Sequence, residues 1–259
     1  MKKMNKTHLK DRIIAIVTLI LIPIFFEQLL PVGLCMCGID AGNAVIIGAF
    51  TTILLSLYGY RILLKSNNEQ IPCRSVKLPG VIILVVLMFI FSLLDQVFSA
   101  WITAHMTDPG MEARLDSISN TNLYVYLIYA IFIAPIAEEC MFRIYLNKYI
   151  QQYFSWMVSI VATSVMFGLI HGTIVHVVTA TLFGLLLSLI FEYTQCIWIT
   201  TVCHMAYNMS ITVESGTEMS LLYSSTVMTV LVFLATVFVL CWFMVKKDNE
   251  MKGLNNVEV

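Results

Sequence analysis

The residues able to do chemistry in this chain fall in three short stretches. Residues 134–143 read Ala-Pro-Ile-Ala-Glu-Glu-Cys-Met-Phe-Arg, so that Glu138 and Glu139 are adjacent and Arg143 follows Glu139 by one helical turn. Phe167 and His171 are similarly spaced in Phe-Gly-Leu-Ile-His, and His204 and Asn208 in His-Met-Ala-Tyr-Asn. A carboxylate and an imidazole can together bind and deprotonate a water. A second imidazole and an amide can donate hydrogen bonds to a developing oxyanion. The same Glu138, His171 and His204 side chains could instead hold a zinc ion with a water at an open position. Both arrangements hydrolyse without a serine or cysteine nucleophile, and the chain has no HExxH, no GxSxG and no pair of GxGD-type aspartates.

Each stretch also has a plainer account. Glu139 and Arg143 share one helical face and can pair, which lowers the cost of burying both. Glu138, turned about 100° from Glu139, faces a different partner. A lone histidine at a helix end is commonly a satisfied polar group, and His204 with Asn208 could be hydrogen-bond glue between helices. His176 belongs to no motif. The three clusters weigh more together than apart. Ionisable groups inside hydrocarbon are costly and mark function by default, and here each cluster lies in an apolar run where only the others can satisfy it.

The elements that must position these residues are membrane helices. Hydrophobic residues make up 59% of the 259 positions and charged residues 12%, against roughly 25% charged in soluble domains. Net charge is −1, so nucleic acid is not an expected partner. Cys35, Cys37, Cys73, Cys140, Cys196, Cys203 and Cys241 form no paired CxxC pattern and read as small hydrophobes. The first apolar run is longer than the ~7–15 residues of a signal core and lacks a small-x-small cleavage site, so it is read as a retained helix.

Crossing the hydrocarbon takes ~20 apolar residues. Candidate spans lie at 13–34, 41–64, 79–102, 122–150, 154–171, 174–193, 197–213 and 221–245, about eight in all, with no internal repeat. Lys2, Lys3, Lys6, Lys10 and Arg12 precede the first span; Arg61, Lys65, Arg74 and Lys77 flank the connection from the second to the third. Arg143 and Lys148 lie near the end of the fourth, and Lys246, Lys247 and Lys252 follow the last. Residues 103–122 carry Asp108, Glu112 and Asp116 against Arg114. The positive-inside rule then puts both termini in the cytoplasm and the acidic connection outside. Pro135 frees a backbone carbonyl and can kink the fourth helix beside the glutamates. The expected fold is all-α: one polytopic transmembrane domain over 1–259, enclosing a polar cavity, with its core at about 122–213, in a multi-pass cell-membrane protein.

Glu138-Glu139-x-x-x-Arg143, Phe167-x-x-x-His171 and His204-x-x-x-Asn208, in that order, resemble the CPBP family, the CAAX-protease and bacteriocin-processing intramembrane endopeptidases also called Abi proteins. The linking stretch from Gly184-Leu185 through Glu192-Tyr193-Thr194 to Ile197-Trp198 is similar as well, and the resemblance covers about 126–208. It implies an eight-helix bundle whose cavity opens toward the cytoplasm and the lipid. It implies that Glu138 with His171 activates water, that His204 and Asn208 form the oxyanion site, and that Glu139 and Arg143 support them or Glu139 shares the catalytic role. It leaves open a glutamate-type or a zinc-dependent mechanism. The expected partner is a membrane-associated peptide or protein substrate within the bilayer, of the pheromone, bacteriocin or CAAX-like kind. The alternative is a non-enzymatic membrane immunity, peptide-binding or transport protein using the same polar groups for binding.

Overall fold

The computed structural model describes residues 9–67, 78–105 and 122–214. These form helices and, among the described residues, no strand. In chain order they are α1 Leu9–Met36, α2 Ala41–Asn67, α3 Leu78–His105, α4 Tyr124–Ile150, α5 Trp156–Leu169, α6 Ile174–Thr194 and α7 Ile197–Glu214. Five of them (α1, α2, α3, α4 and α6) are long and apolar enough to cross a membrane. The chain is thus an all-α, multi-pass membrane protein. The expected span at 221–245 and the acidic residues Asp108, Glu112 and Asp116 lie outside the described residues.

The helices sort by exposure. α1 and α3 present Ile13, Leu21, Ile82 and Ile83 outward, a surface that suits lipid and would be an aggregation liability in water. α6 is the inner helix: Val175, Phe183, Leu187 and Leu189 are buried, and it packs on α5, α7 and α3. Small residues let α5 and α6 approach closely, as is usual between membrane helices. A Cβ on Gly168 would collide with the Val177 carbonyl and the Thr181 hydroxyl, and one on Gly184 would lie 3.3 Å from Ser164.

Prolines shape the two helices that carry unusual carboxylates. A proline has no N–H for the preceding turn, and π-helical turns commonly form where the ladder slips. In α1, the stretch Ile24–Leu29 is π-helical ahead of Pro31, and the Leu30 N–H bonds back to Phe25. In α4, Tyr129–Ile133 is π-helical ahead of Pro135, and the Ala134 N–H bonds to Tyr129. The register slip therefore costs the Ala130 carbonyl its usual donor, and the next candidate, Pro135, has none.

At the far end of α4, a polar knot ties it to α6. Glu192 accepts from Asn147 Nδ2 at 3.0 Å, Lys148 Nζ at 3.3 Å, Gln151 Nε2 at 2.6 Å and Gln195 Nε2 at 3.2 Å. Gln195 then turns the chain with φ 52°, ending α6 in a left-handed residue.

Candidate active site

The glutamate pair occupies the middle of α4, just past the Pro135 irregularity. Glu139 is fully buried and points into the bundle, where its Oε2 lies 3.3 Å from Arg143 Nε one turn along. Arg143 is also fully buried, so it does not reach for the membrane surface. Its Nη groups have no hydrogen-bond partner, and its guanidinium rests on the face of Phe167, 5.1 Å from the ring centre. Glu138, turned away along the helix, keeps 14% side-chain exposure and lines the cavity, whereas Glu139 and Arg143 do not. The helical phase thus gives the two glutamates different surroundings.

His204 joins what the sequence separates. From α7 its Nδ1 lies 3.0 Å from Glu139 Oε1 and its Nε2 3.6 Å from Glu138 Oε2. An ionised Glu139 paired with Arg143 only accepts, so Nδ1 donates, and Nε2 is the nitrogen turned toward Glu138. Phe183 packs edge-on to the imidazole at 4.9 Å and Phe167 at 6.0 Å. These rings hold its plane.

His171 lies just beyond the end of α5, in a turn closed by Gly172 at φ 75°. Its Nδ1 is 2.7 Å from the Phe167 carbonyl. A carbonyl only accepts, so Nδ1 carries the hydrogen and a neutral ring keeps its Nε2 lone pair as an acceptor. Asn208 sits one turn beyond His204. Its Nδ2 donates to the orphaned Ala130 carbonyl at 2.8 Å, so the amide fills the gap that Pro135 and the π turn leave in α4.

Glu138, His171, His204 and Asn208 all line one cavity of about 560 Å³, a size within the usual ligand-site range of about 300–1,000 Å³. The cavity lies at one end of the bundle. Its lining residues come from the first halves of α4 and α6, the second half of α7, the turn between α5 and α6, and α1 near Glu27. Among the described residues, no group of three His, Cys, Asp or Glu stands where one metal ion could bind them all. Glu138, His171 and His204 share the cavity without converging in that way.

The structure adds residues that sequence patterns did not single out. Glu27 lines the cavity, as does His176, whose Nδ1 is 2.5 Å from Thr173 Oγ1. Asp95, buried in α3, accepts a hydrogen bond from Tyr207, whose ring stacks on Phe183 at 3.9 Å. Glu27 and Asp95 carry the same signal that marks Glu138, a carboxylate inside an apolar run, but each stands alone in sequence. Of the cysteines, Cys140, Cys196 and Cys203 are buried, Cys35 and Cys37 are exposed, and all five are free thiols.

No curated protein and no solved structure matches the chain. Residues 120–210 match the family described as type II CAAX prenyl endopeptidase, Rce1-like. That match spans the glutamate pair, His171, His204 and Asn208, the same residues that the fold gathers around the cavity and around Glu139. The match over residues 120–210 is to the CPBP and CAAX-protease family that the three motifs resemble.

Proposed function

We propose that the protein is an intramembrane endopeptidase that hydrolyses a peptide bond of a membrane-associated peptide or protein. The observation that carries this reading is that Glu138 of α4, His171 after α5, and His204 and Asn208 of α7 line a single cavity. Glu138 takes a proton from a water that the His171 Nε2 lone pair holds by its other hydrogen. The hydroxide so formed attacks the peptide carbonyl carbon, and the carbonyl oxygen becomes negative. The second N–H of the Asn208 amide donates to that oxygen, and His204 joins it from Nε2–H in its imidazolium form, with Nδ1–H held by Glu139. The C–N bond then breaks, and Glu138 returns its proton to the departing nitrogen. One water is consumed, a carboxylic acid and an amine are released, and Glu138 is regenerated. Glu139 and Arg143 act behind this set, holding the His204 ring in place through its Nδ1–H.

The cavity lies at the bundle end where α1 finishes and α4 and α6 begin. Lys10 and Arg12 start α1, Arg61 and Lys65 lie late in α2, and Lys148 closes α4. All belong to the opposite end. At the cavity end, the described connections 37–40 and 170–173 carry no Lys or Arg. By the positive-inside rule the cavity then faces the extracytoplasmic side. A cytoplasmic N-terminus and a cytoplasm-facing cavity are incompatible in this fold, and the charge distribution favours the former. The substrate class that fits is a peptide presented at the outer face, as in pheromone or bacteriocin processing, rather than a cytoplasmic CAAX protein.

The test compares membrane and secreted peptides from cells carrying the wild type and Glu138→Gln. The variant should accumulate at least one uncleaved precursor, with cleavage down by at least about 10²-fold and with protein abundance unchanged. Full cleavage by Glu138→Gln overturns the reading.

A further inference from the structure

Glu27 has no part in the hydrolytic scheme, yet it occupies the same cavity. It sits in the π-helical stretch Ile24–Leu29 of α1, where Pro31 removes the N–H that the Glu27 carbonyl would receive in a regular helix. Such stretches often mark functional positions. The next residue pins this part of α1 to the catalytic turn: Gln28 Nε2 donates to the Ile170 carbonyl at 2.7 Å, immediately before His171. The Glu27 carboxylate lines the cavity, and its Oε1 is buried without a hydrogen-bond partner.

A carboxylate oxygen buried without a partner is costly unless a donor arrives to meet it. Among the described residues, nothing on the cavity wall supplies a permanent cation. The lining includes the carboxylates of Glu27 and Glu138 and three histidines, but no Lys or Arg. Arg143, the nearest cation in sequence to the site, is turned away beneath Phe167. The same cavity wall also offers Val45, Ile170 and Phe183, apolar surface of the kind that the methylene stem of a long basic side chain covers while its head seeks charge.

We propose that Glu27 is a substrate subsite that binds a lysine or arginine side chain of the peptide held in the cavity. This rests on the peptidase reading and adds to it a specificity determinant. The basic head group donates charge-assisted hydrogen bonds to Glu27, which sets the register of the peptide relative to the water held by Glu138 and His171.

The experiment uses the full-length protein in lipid nanodiscs with Glu138→Gln, so that peptides bind without being cut. The probes are acetylated and amidated apolar peptides carrying one lysine at successive positions, each with a glutamine twin. At one or two positions the lysine peptide should bind about tenfold or more tighter than its twin. The advantage should vanish in Glu27→Gln and persist in part in Glu27→Asp, which keeps the charge. Equal binding of the twins at every position, or an advantage that survives Glu27→Gln, overturns the subsite. Incubating the same peptides with the chain that retains Glu138 tests the peptidase reading separately. Lysine-selective binding without cleavage sinks that reading and leaves the subsite standing, while cleavage without lysine preference does the reverse.

Discussion

Asn208 Nδ2 donates to the Ala130 carbonyl across 2.8 Å, joining α7 to α4 at a carbonyl that the π turn and Pro135 deprive of its helical donor. The same amide lines the cavity. Asn208→Ala should therefore lower stability by about 1–3 kcal/mol, the cost of stranding a buried acceptor, as well as abolish cleavage. Pro135→Ala restores a backbone N–H to that turn. In the Asn208→Ala background it should recover part of the thermal stability and none of the activity. Equal loss of stability with and without Pro135 would show that the Ala130 bond does not carry the effect.

The Glu139–Arg143 pair makes a different prediction. Both side chains are fully buried, and Glu139 also holds His204. Arg143→Met should destabilise the protein by about 3–5 kcal/mol, because it leaves an uncompensated charge in the bundle. Adding Glu139→Gln to Arg143→Met should restore much of the stability, read as the midpoint of denaturant unfolding in micelles. Activity should stay low in the double variant, because the His204 Nδ1–H then faces a neutral amide that no longer fixes its orientation by charge.

These contrasts show what the chain disclosed by itself. Hydropathy located the long helices, because a helix in lipid must satisfy its backbone internally and so leaves an uninterrupted apolar run. The i, i+4 spacing disclosed the Glu139–Arg143 pair and the separate direction of Glu138. The bridge from His204 to both glutamates was not legible, since it depends on how α7 crosses α4. Nor was the fate of the carbonyl freed near Pro135: the sequence marks the irregularity, but only the fold shows Asn208 filling it. Glu27 and Asp95 were visible as charges in apolar runs, yet a lone carboxylate names no partner until the bundle brings Gln28 to Ile170 or Tyr207 to Asp95.

The Glu192 knot should separate stability from catalysis. Glu192 accepts from Asn147, Lys148, Gln151 and Gln195, and none of these five residues lines the cavity. Glu192→Ala strands the buried Asn147 amide and should cost about 1–3 kcal/mol. Folded variant protein should nevertheless cleave at a rate close to wild type. A large fall in rate at unchanged thermal stability would place the knot in the catalytic machinery.

The side of the membrane on which the cavity opens can be read with the protein's own thiols. Cys35 and Cys37 are exposed and lie where α1 meets α2, the cavity end of the bundle. Cys73 falls between α2 and α3 in the sequence, with Arg61 and Lys65 before it and Arg74 and Lys77 after it. Cys140, Cys196 and Cys203 are buried and should not react. A membrane-impermeant maleimide added to intact cells should label wild-type protein and lose that labelling in the Cys35→Ser, Cys37→Ser variant. With Cys241 replaced by Ser in both backgrounds, the remaining Cys73 should become reactive only after permeabilisation. Labelling of Cys35 and Cys37 solely after permeabilisation would place the cavity in the cytoplasmic half and return cytoplasmic proteins to the set of substrates. The same reversal would require the Lys- and Arg-rich end to face outward, against the charge bias that orients membrane helices during insertion.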